Sequence, residues 1–202
     1  MRATPARGVA ASIVAMSANR PTTAPDAASL QARLRSGTPV RIRPVRPDDR
    51  QRVIDAFHKL EPRTVYTRFF GPKRELSEAD LSRIEASDFV RAVALVASVG
   101  EGPNEILIGG GAYTVLERPG EAASAELSFT IEEDYQGQGL ATLLLRQLTR
   151  IGREHGIQRF EAEVLAENRP MLKVFERSGL PLRSRAEDGV VHVTMALGGS
   201  AA

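Results

Sequence analysis

The feature that most constrains this chain is a change of hydrophobic period across a short glycine-rich turn. Ala125 to Ile131 alternates, with Leu127, Phe129 and Ile131 on one side, the pattern of a half-buried strand. Leu140, Leu144, Leu148 and Ile151 then recur at the spacing of one helix face. Between the two lies Gln136-Gly137-Gln138-Gly139-Leu140-Ala141. Two glycines let the backbone turn sharply and come close to a ligand. The helix that follows opens with unpaired N–H groups and the positive end of its dipole. Strand, turn and helix in this order make a seat for a pyrophosphate, although a plain glycine-rich turn uses the same residues. A Rossmann fingerprint needs a third glycine where Ala141 stands, within a parallel unit. A Walker loop needs Gly-Lys-Ser/Thr, which is absent here.

The strands ahead of this turn read as an antiparallel meander. Val40 to Val45 alternates, Arg91 to Val99 is rich in Val and Ala, and Ile106 to Val115 follows the turn at Gly100 to Asn104. Three helices are expected before Arg91. One is capped at Asp48 and carries Val53, Ile54 and Phe57; one spans Glu61 to Phe70 and stops at Gly71-Pro72; a short one opens with a Ser77/Asp80 capping box. After the turn, Gly156 ends the long helix, Phe160, Ala162 and Val164 alternate, Pro170 and Gly179 bracket a helix, and Val191, Val193 and Met195 form a last strand. No internal repeat is visible.

Residues 1–38 read differently. They are rich in Ala, Pro, Ser and Thr, with five arginines and the single acid Asp26, and are expected to be a flexible basic tail. Arg2, Arg7 and the apolar stretch Val9 to Met16 have the outline of a signal peptide, but the stretch is short and broken by Ser12. Met16 is an alternative translation start. A folded domain is expected over residues 39–198, with 199–202 a short C-terminal tail.

Composition excludes several classes. The chain has no cysteine, which removes disulfides, thiolate metal sites and a thiol nucleophile, and fits a reducing, cytoplasmic setting. A net charge of +2 and 5% aromatics, with no tryptophan, give no case for nucleic acid. The longest apolar run, Ala92 to Ala97, is too short to span a bilayer, so no membrane partner is expected. His58, His155 and His192 sit on separate elements without ligand spacing, so no metal is expected. Arg146, Arg150 and Arg153 read as a solvated helix face, within possible reach of a nucleotide phosphate.

Gln136, Gly139 and Ala141 match the Arg/Gln-x-x-Gly-x-Gly/Ala loop, and Asn168 to Leu180 resembles an Asn followed by a helix ending in Gly-Phe, with Gly179-Leu180 at that end. With these two elements in order, residues 40 to 197 resemble the GNAT acetyltransferase superfamily. Arg43 to Asp49, Tyr66 to Pro72, and Ala125-Glu126 ahead of Asp134 to Gly137 are similar to the acetyltransferase domain of bacterial Pat-type protein lysine acetyltransferases. The resemblance implies an α+β GNAT fold: a mixed, mostly antiparallel sheet of about six to seven strands flanked by about four helices. It implies acetyl-CoA as cosubstrate, no metal, and a protein substrate with an exposed lysine, on a monomer or homodimer.

A lysine amine has a pKa of about 10.4, so fewer than about one in a thousand are neutral at pH 7. A carboxylate that takes the proton is therefore useful. Glu126 is the candidate, on a strand face that continues as Ser128 and Thr130, and it matches the Pat-type glutamate; its plainer reading is a solvated strand carboxylate. The resemblance implies an oxyanion donor at the backbone of Phe129 or Thr130, and pairing of Ile131 with the pantetheine arm. It places the pyrophosphate on Gln136, Gly137, Gln138, Gly139, Leu140 and Ala141, and Asn168 near the scissile bond, where it can also cap a helix. Phe175 stands in the cofactor region where many GNAT enzymes carry a proton-donating Tyr. Tyr113 and Tyr135 have no geometric claim to that role. A small-molecule amine acetyltransferase and a non-catalytic acyl-CoA-binding regulator remain as alternatives.

Overall fold

The computed structural model describes residues 28–85 and 87–198. One eight-stranded sheet runs through it in the order β1-β2-β3-β4-β5-β6-β8-β7. The strands are β1 (Leu30–Arg33), β2 (Pro39–Pro44), β3 (Ala92–Val99), β4 (Ile106–Leu116), β5 (Ser124–Ile131), β6 (Arg159–Leu165), β7 (Leu182–Glu187) and β8 (Val190–Ala196). The helices are α1 (Arg50–His58), α2 (Pro62–Phe69), α3 (Glu78–Glu85), α4 (Leu140–Glu154) and α5 (Arg169–Glu176). All neighbouring strands are antiparallel except β5 and β6.

That exception creates the cleft. β5 and β6 pair only where Ser124, Ala125 and Glu126 meet Arg159, Phe160 and Glu161. Beyond Glu126 the two strands part, and the β5 edge from Leu127 to Ile131 has no strand beside it. On its other side β5 stays paired with β4 along its whole length. The approach there is close: a Cβ at Gly109 would lie 2.7 Å from the Thr130 carbonyl oxygen, and one at Gly111 2.9 Å from the Phe129 ring.

Helix α4 closes one face of the sheet. Leu140, Leu144, Leu145, Leu148 and Ile151 are buried against it, each worth about 1.5–3 kcal/mol relative to exposure. Gly156, at φ 73°, ends this helix, and the Ile157 N–H donates to the Gly152 carbonyl at 2.8 Å. On α3 the expected capping box is present: the Ser77 N–H donates to Asp80 at 2.8 Å. Two local expectations differ in detail. Asp49, not Asp48, is the buried acid before α1, accepting from the Arg46 N–H at 2.8 Å. Phe70, at φ 57°, is the left-handed residue that ends α2, one position before Gly71.

Residues 1–27 and 199–202 lie outside the described residues, and with them most of the expected tail, the signal-peptide outline and Met16. From Ala28 to Thr38 the chain is part of the fold, ahead of the boundary read from composition. β1 pairs with β2, Ala28 and Leu34 are buried, and Gln147 of α4 donates to the Ala28 carbonyl at 2.9 Å. β7 is a second addition to the strands expected. It is exposed along nearly its whole length and is held as a hairpin to β8 by Asp188-Gly189, both at positive φ.

Candidate active site

A groove of about 810 Å³ opens where β5 and β6 part, walled by α2 on one side and α5 on the other. Its volume suits a small-molecule arm together with an acceptor group. The unpaired β5 edge forms its floor, and backbone groups there can bond an extended ligand as an added strand would. Phe129, Thr130 and Ile131 all line it.

The glycine turn forms one end. Gly137 and Gly139 have φ of 69° and 94°, a conformation other residues adopt only at a cost. A Cβ built on either meets nothing within 4 Å, so their requirement is backbone geometry and the space above them is open. Gly139 caps α4, leaving the first N–H groups of that helix facing the groove. Gln136, Gly137, Gly139, Leu140 and Ala141 line this end. Gln138 does not. Its side chain donates to the Asp134 carbonyl at 2.6 Å, so it braces the turn from behind. The Gln136 side chain also braces, donating to the Ile131 carbonyl at 2.9 Å and to the Thr64 hydroxyl at 3.1 Å.

Glu126 lies at the other end, exposed, at the last position where β5 pairs with β6. Strand alternation explains its direction. Phe129 packs toward Leu148 of α4 over Gly111, so Glu126, Ser128 and Thr130 face the opposite side, where α2 lies. Asn168 caps α5, accepting from the Met171 N–H at 3.3 Å, and also lines the groove. Phe175 also lines the groove although its side chain is buried, its ring 6.1 Å from that of Phe129. Tyr113 is buried elsewhere: its hydroxyl pairs with His155 Nδ1 at 2.9 Å, and burial raises its pKa further. Tyr135 does line the groove, beside Gln136.

Among the lining residues to which the sequence gave no role are Thr64 and Arg68 on α2, and Arg35. The spacing of Thr64 and Arg68, four apart on a helix, was the available signal. Arg35 follows β1; its N–H donates to the Gln138 carbonyl at 3.1 Å and its guanidinium to the Gly137 carbonyl at 3.2 Å. Arg146, Arg150 and Arg153 are not among the lining residues; Arg150 pairs with Glu154 at 2.6 Å and Arg153 donates to the Leu197 carbonyl at 2.9 Å. Among the described residues no group of acids and histidines could hold a metal, and no helix is long and apolar enough to cross a membrane. A second depression of about 880 Å³ near β1 and β2 carries Arg33, Arg41, Arg46 and Arg52, but its glycines, Gly100 and Gly102, lead into no α-helix.

Comparison with known proteins agrees with this geometry. A family model described as an acetyltransferase (GNAT) domain matches residues 40–181. The acetyltransferase PA5475 of Pseudomonas aeruginosa is 34% identical over 138 residues, 68% of this chain and 73% of the relative. Acetyltransferase Pat of Mycolicibacterium smegmatis is 31% identical over 153 residues, 74% of this chain but only 44% of that longer protein. The crystal structure of the GNAT domain of S. lividans PAT is 33% identical and superposes with a TM-score of 0.78, covering 86% of this chain and 99% of that one.

Proposed function

The chain belongs to the GNAT acetyltransferase family, and on that premise we propose that its groove transfers acetyl from acetyl-CoA to the side-chain amine of a protein lysine. One observation carries the reading: a carboxylate, Glu126, stands at one end of an unpaired strand edge whose other end is the glycine turn. The turn and the start of α4 suit the pyrophosphate of the cosubstrate. The free edge of β5 suits the amides of the pantetheine arm, which brings the thioester toward Glu126.

The reaction balances on these groups. The amine loses a proton to Glu126, directly or through water, and its nitrogen attacks the thioester carbonyl. A backbone N–H near Phe129 or Thr130 steadies the oxyanion. The C–S bond then breaks and the nitrogen gives up its second proton to water, leaving a neutral amide and a CoA thiolate. Phe175 has no proton to give that thiolate, so it leaves as the anion or takes a proton from water.

The likeness to Pat of Mycolicibacterium smegmatis and to the S. lividans PAT domain favours a protein acceptor over a small amine. The test is to incubate the protein with labelled acetyl-CoA and a cell lysate and to identify the modified residues. Label on protein lysines supports the reading; label confined to small amines sinks it. Tight acetyl-CoA binding with no transfer to any amine favours an acyl-CoA-binding regulator, a reading to which Phe175 lends some weight.

A further inference from the structure

Arg68 carries a consequence for the acceptor. It lies one helical turn beyond Thr64 on α2, and both line the groove. Thr64 is held against the glycine-turn end by Gln136. One turn along the helix, Arg68 reaches the Glu126 end, where the two opposite charges act on each other. The guanidinium sits over the Phe69 ring, 5.1 Å from its centroid. It is half-buried, and burial pushes its pKa below the usual value, against the charges of Glu126 and Asp80, which hold it up, while Arg83 opposes them.

A guanidinium has five N–H donors in a planar fork. Among the described residues no acceptor takes a hydrogen bond from Arg68, and neither Glu126 nor Asp80 comes within ion-pair distance of it. Asp80 is already engaged, accepting from Ser77 at 2.8 Å and pairing with Lys73. A partly buried fork that lines the groove with Glu126, and has no hydrogen-bond acceptor of its own there, is matched to a planar anion brought in by a ligand.

We propose that Arg68 binds a carboxylate carried close to the amine that is acetylated, so that the preferred acceptor is a lysine flanked by an acidic residue. This rests on the proposed acetyl transfer in the same groove. Glu126 then faces the amine and Arg68 the neighbouring acid. A lysine flanked by Arg or Lys is disfavoured, because its second cation meets the guanidinium.

The test uses lysine peptides with Glu at each of the two positions on either side, each compared with its Gln counterpart. The α-amino acid lysine and its carboxamide form a second arm, since a free carboxylate has the same chemistry. A charge-assisted hydrogen bond predicts that wild-type kcat/KM favours at least one Glu peptide over its Gln partner by about 10- to 100-fold, mostly in KM. R68Q should bring the Glu-to-Gln ratio of kcat/KM to about one while acetyl-CoA affinity stays near wild type, and R68K should restore part of the ratio. Equal use of Glu and Gln peptides by the wild type overturns the proposal. So does an R68Q variant that slows all acceptors by one factor, which marks a packing role or support of Glu126. If R68Q does not fold, the wild-type comparison together with R68K still decides. A preference seen only for free lysine over its carboxamide, and lost in R68Q, upholds the carboxylate pairing and overturns the flanked-lysine source. If acetyl-CoA binds and no acceptor of either arm is modified, the transfer reading itself fails and this inference falls with it.

Discussion

Glu126 and Asp49 are both acids on this domain, and their surroundings give them different work. Glu126 is exposed in the groove, where the proposed transfer would bring the acceptor amine to it. Glu126→Gln keeps size and shape but cannot accept that proton, so the rate on a lysine acceptor should fall about 10²–10⁴-fold at pH 7. The deficit should shrink as pH rises, because more of the acceptor is then already neutral. A pH–rate profile of both proteins checks this, and equal rates at pH 7 would assign the deprotonation to bulk water. Asp49 is fully buried and takes two hydrogen bonds from Arg43, at 2.6 and 2.8 Å, while Arg43 also pairs with Glu105 at 2.9 Å. Burial works to raise its pKa, but the bonds from Arg43 and the Arg46 N–H outweigh it and hold the carboxyl below the usual range. A depressed folded-state pKa stabilises above the unfolded value of about 3.9 and loses that contribution as pH falls through the folded value. Asp49→Asn should therefore cost about 3 kcal/mol at neutral pH, the low end for breaking a buried pair because Glu105 still faces Arg43. Denaturation curves should show the gap to wild type closing as the pH is taken below about 4.

At the scale of elements, β1 and the residue pair behind it decide how the glycine turn is held. Leu34 is buried, and Arg35 ties the turn through the Gln138 and Gly137 carbonyls. A chain beginning at Gly37 would have looked like the domain stripped of its tail. It should instead lose at least about 2 kcal/mol of stability from Leu34 alone, and expose the β2 edge. Arg35→Ala separates the two effects. Leu34 stays in place, so thermal melting should hardly move, while acetyl-CoA affinity by calorimetry falls about fivefold as the guanidinium bond to the Gly137 carbonyl is lost and only the backbone bond to Gln138 remains. Gly139→Val acts on the same element by another route. With φ at 94° and open space around it, valine is disfavoured by the backbone and not by a clash. The turn should rearrange, and acetyl-CoA binding should be lost while the sheet stays folded.

For the whole molecule, ligand binding and folding are linked. The groove is built from both halves of the chain, with α2 and Arg35 from before the glycine turn and α5 from after it. A ligand that binds only the folded form stabilises it by mass action, about 2.7 kcal/mol at a hundred times its Kd. Saturating acetyl-CoA should raise the melting temperature of wild type and Glu126→Gln alike, and that of Gly139→Val little. A shift present in the first two with activity only in the first places Glu126 in chemistry and not in binding.

Much of the fold was legible because it rests on local rules. The alternation of Ala125 to Ile131, the stripe from Leu140 to Ile151, the Ser77/Asp80 box and the stop at Gly156 each need only neighbours in sequence, and each is present. The order of strand, glycine turn and helix likewise marked one end of the groove, the end proposed for the pyrophosphate, since the left-handed turn at Gly137 and Gly139 is a property of glycine itself. β1 and β7 were not legible: Leu30–Arg33 is four residues long, and Leu182–Glu187 is too exposed to alternate. Their pairing comes from β2 and β8, not from their own side chains. The parting of β5 from β6, the burial of Asp49 and the presence of Arg68 and Glu126 in one groove depend on segments far apart in the chain. Periodicity states which face of an element is apolar. Which faces come to stand opposite one another, and so which charges share a groove, is decided by how the elements pack.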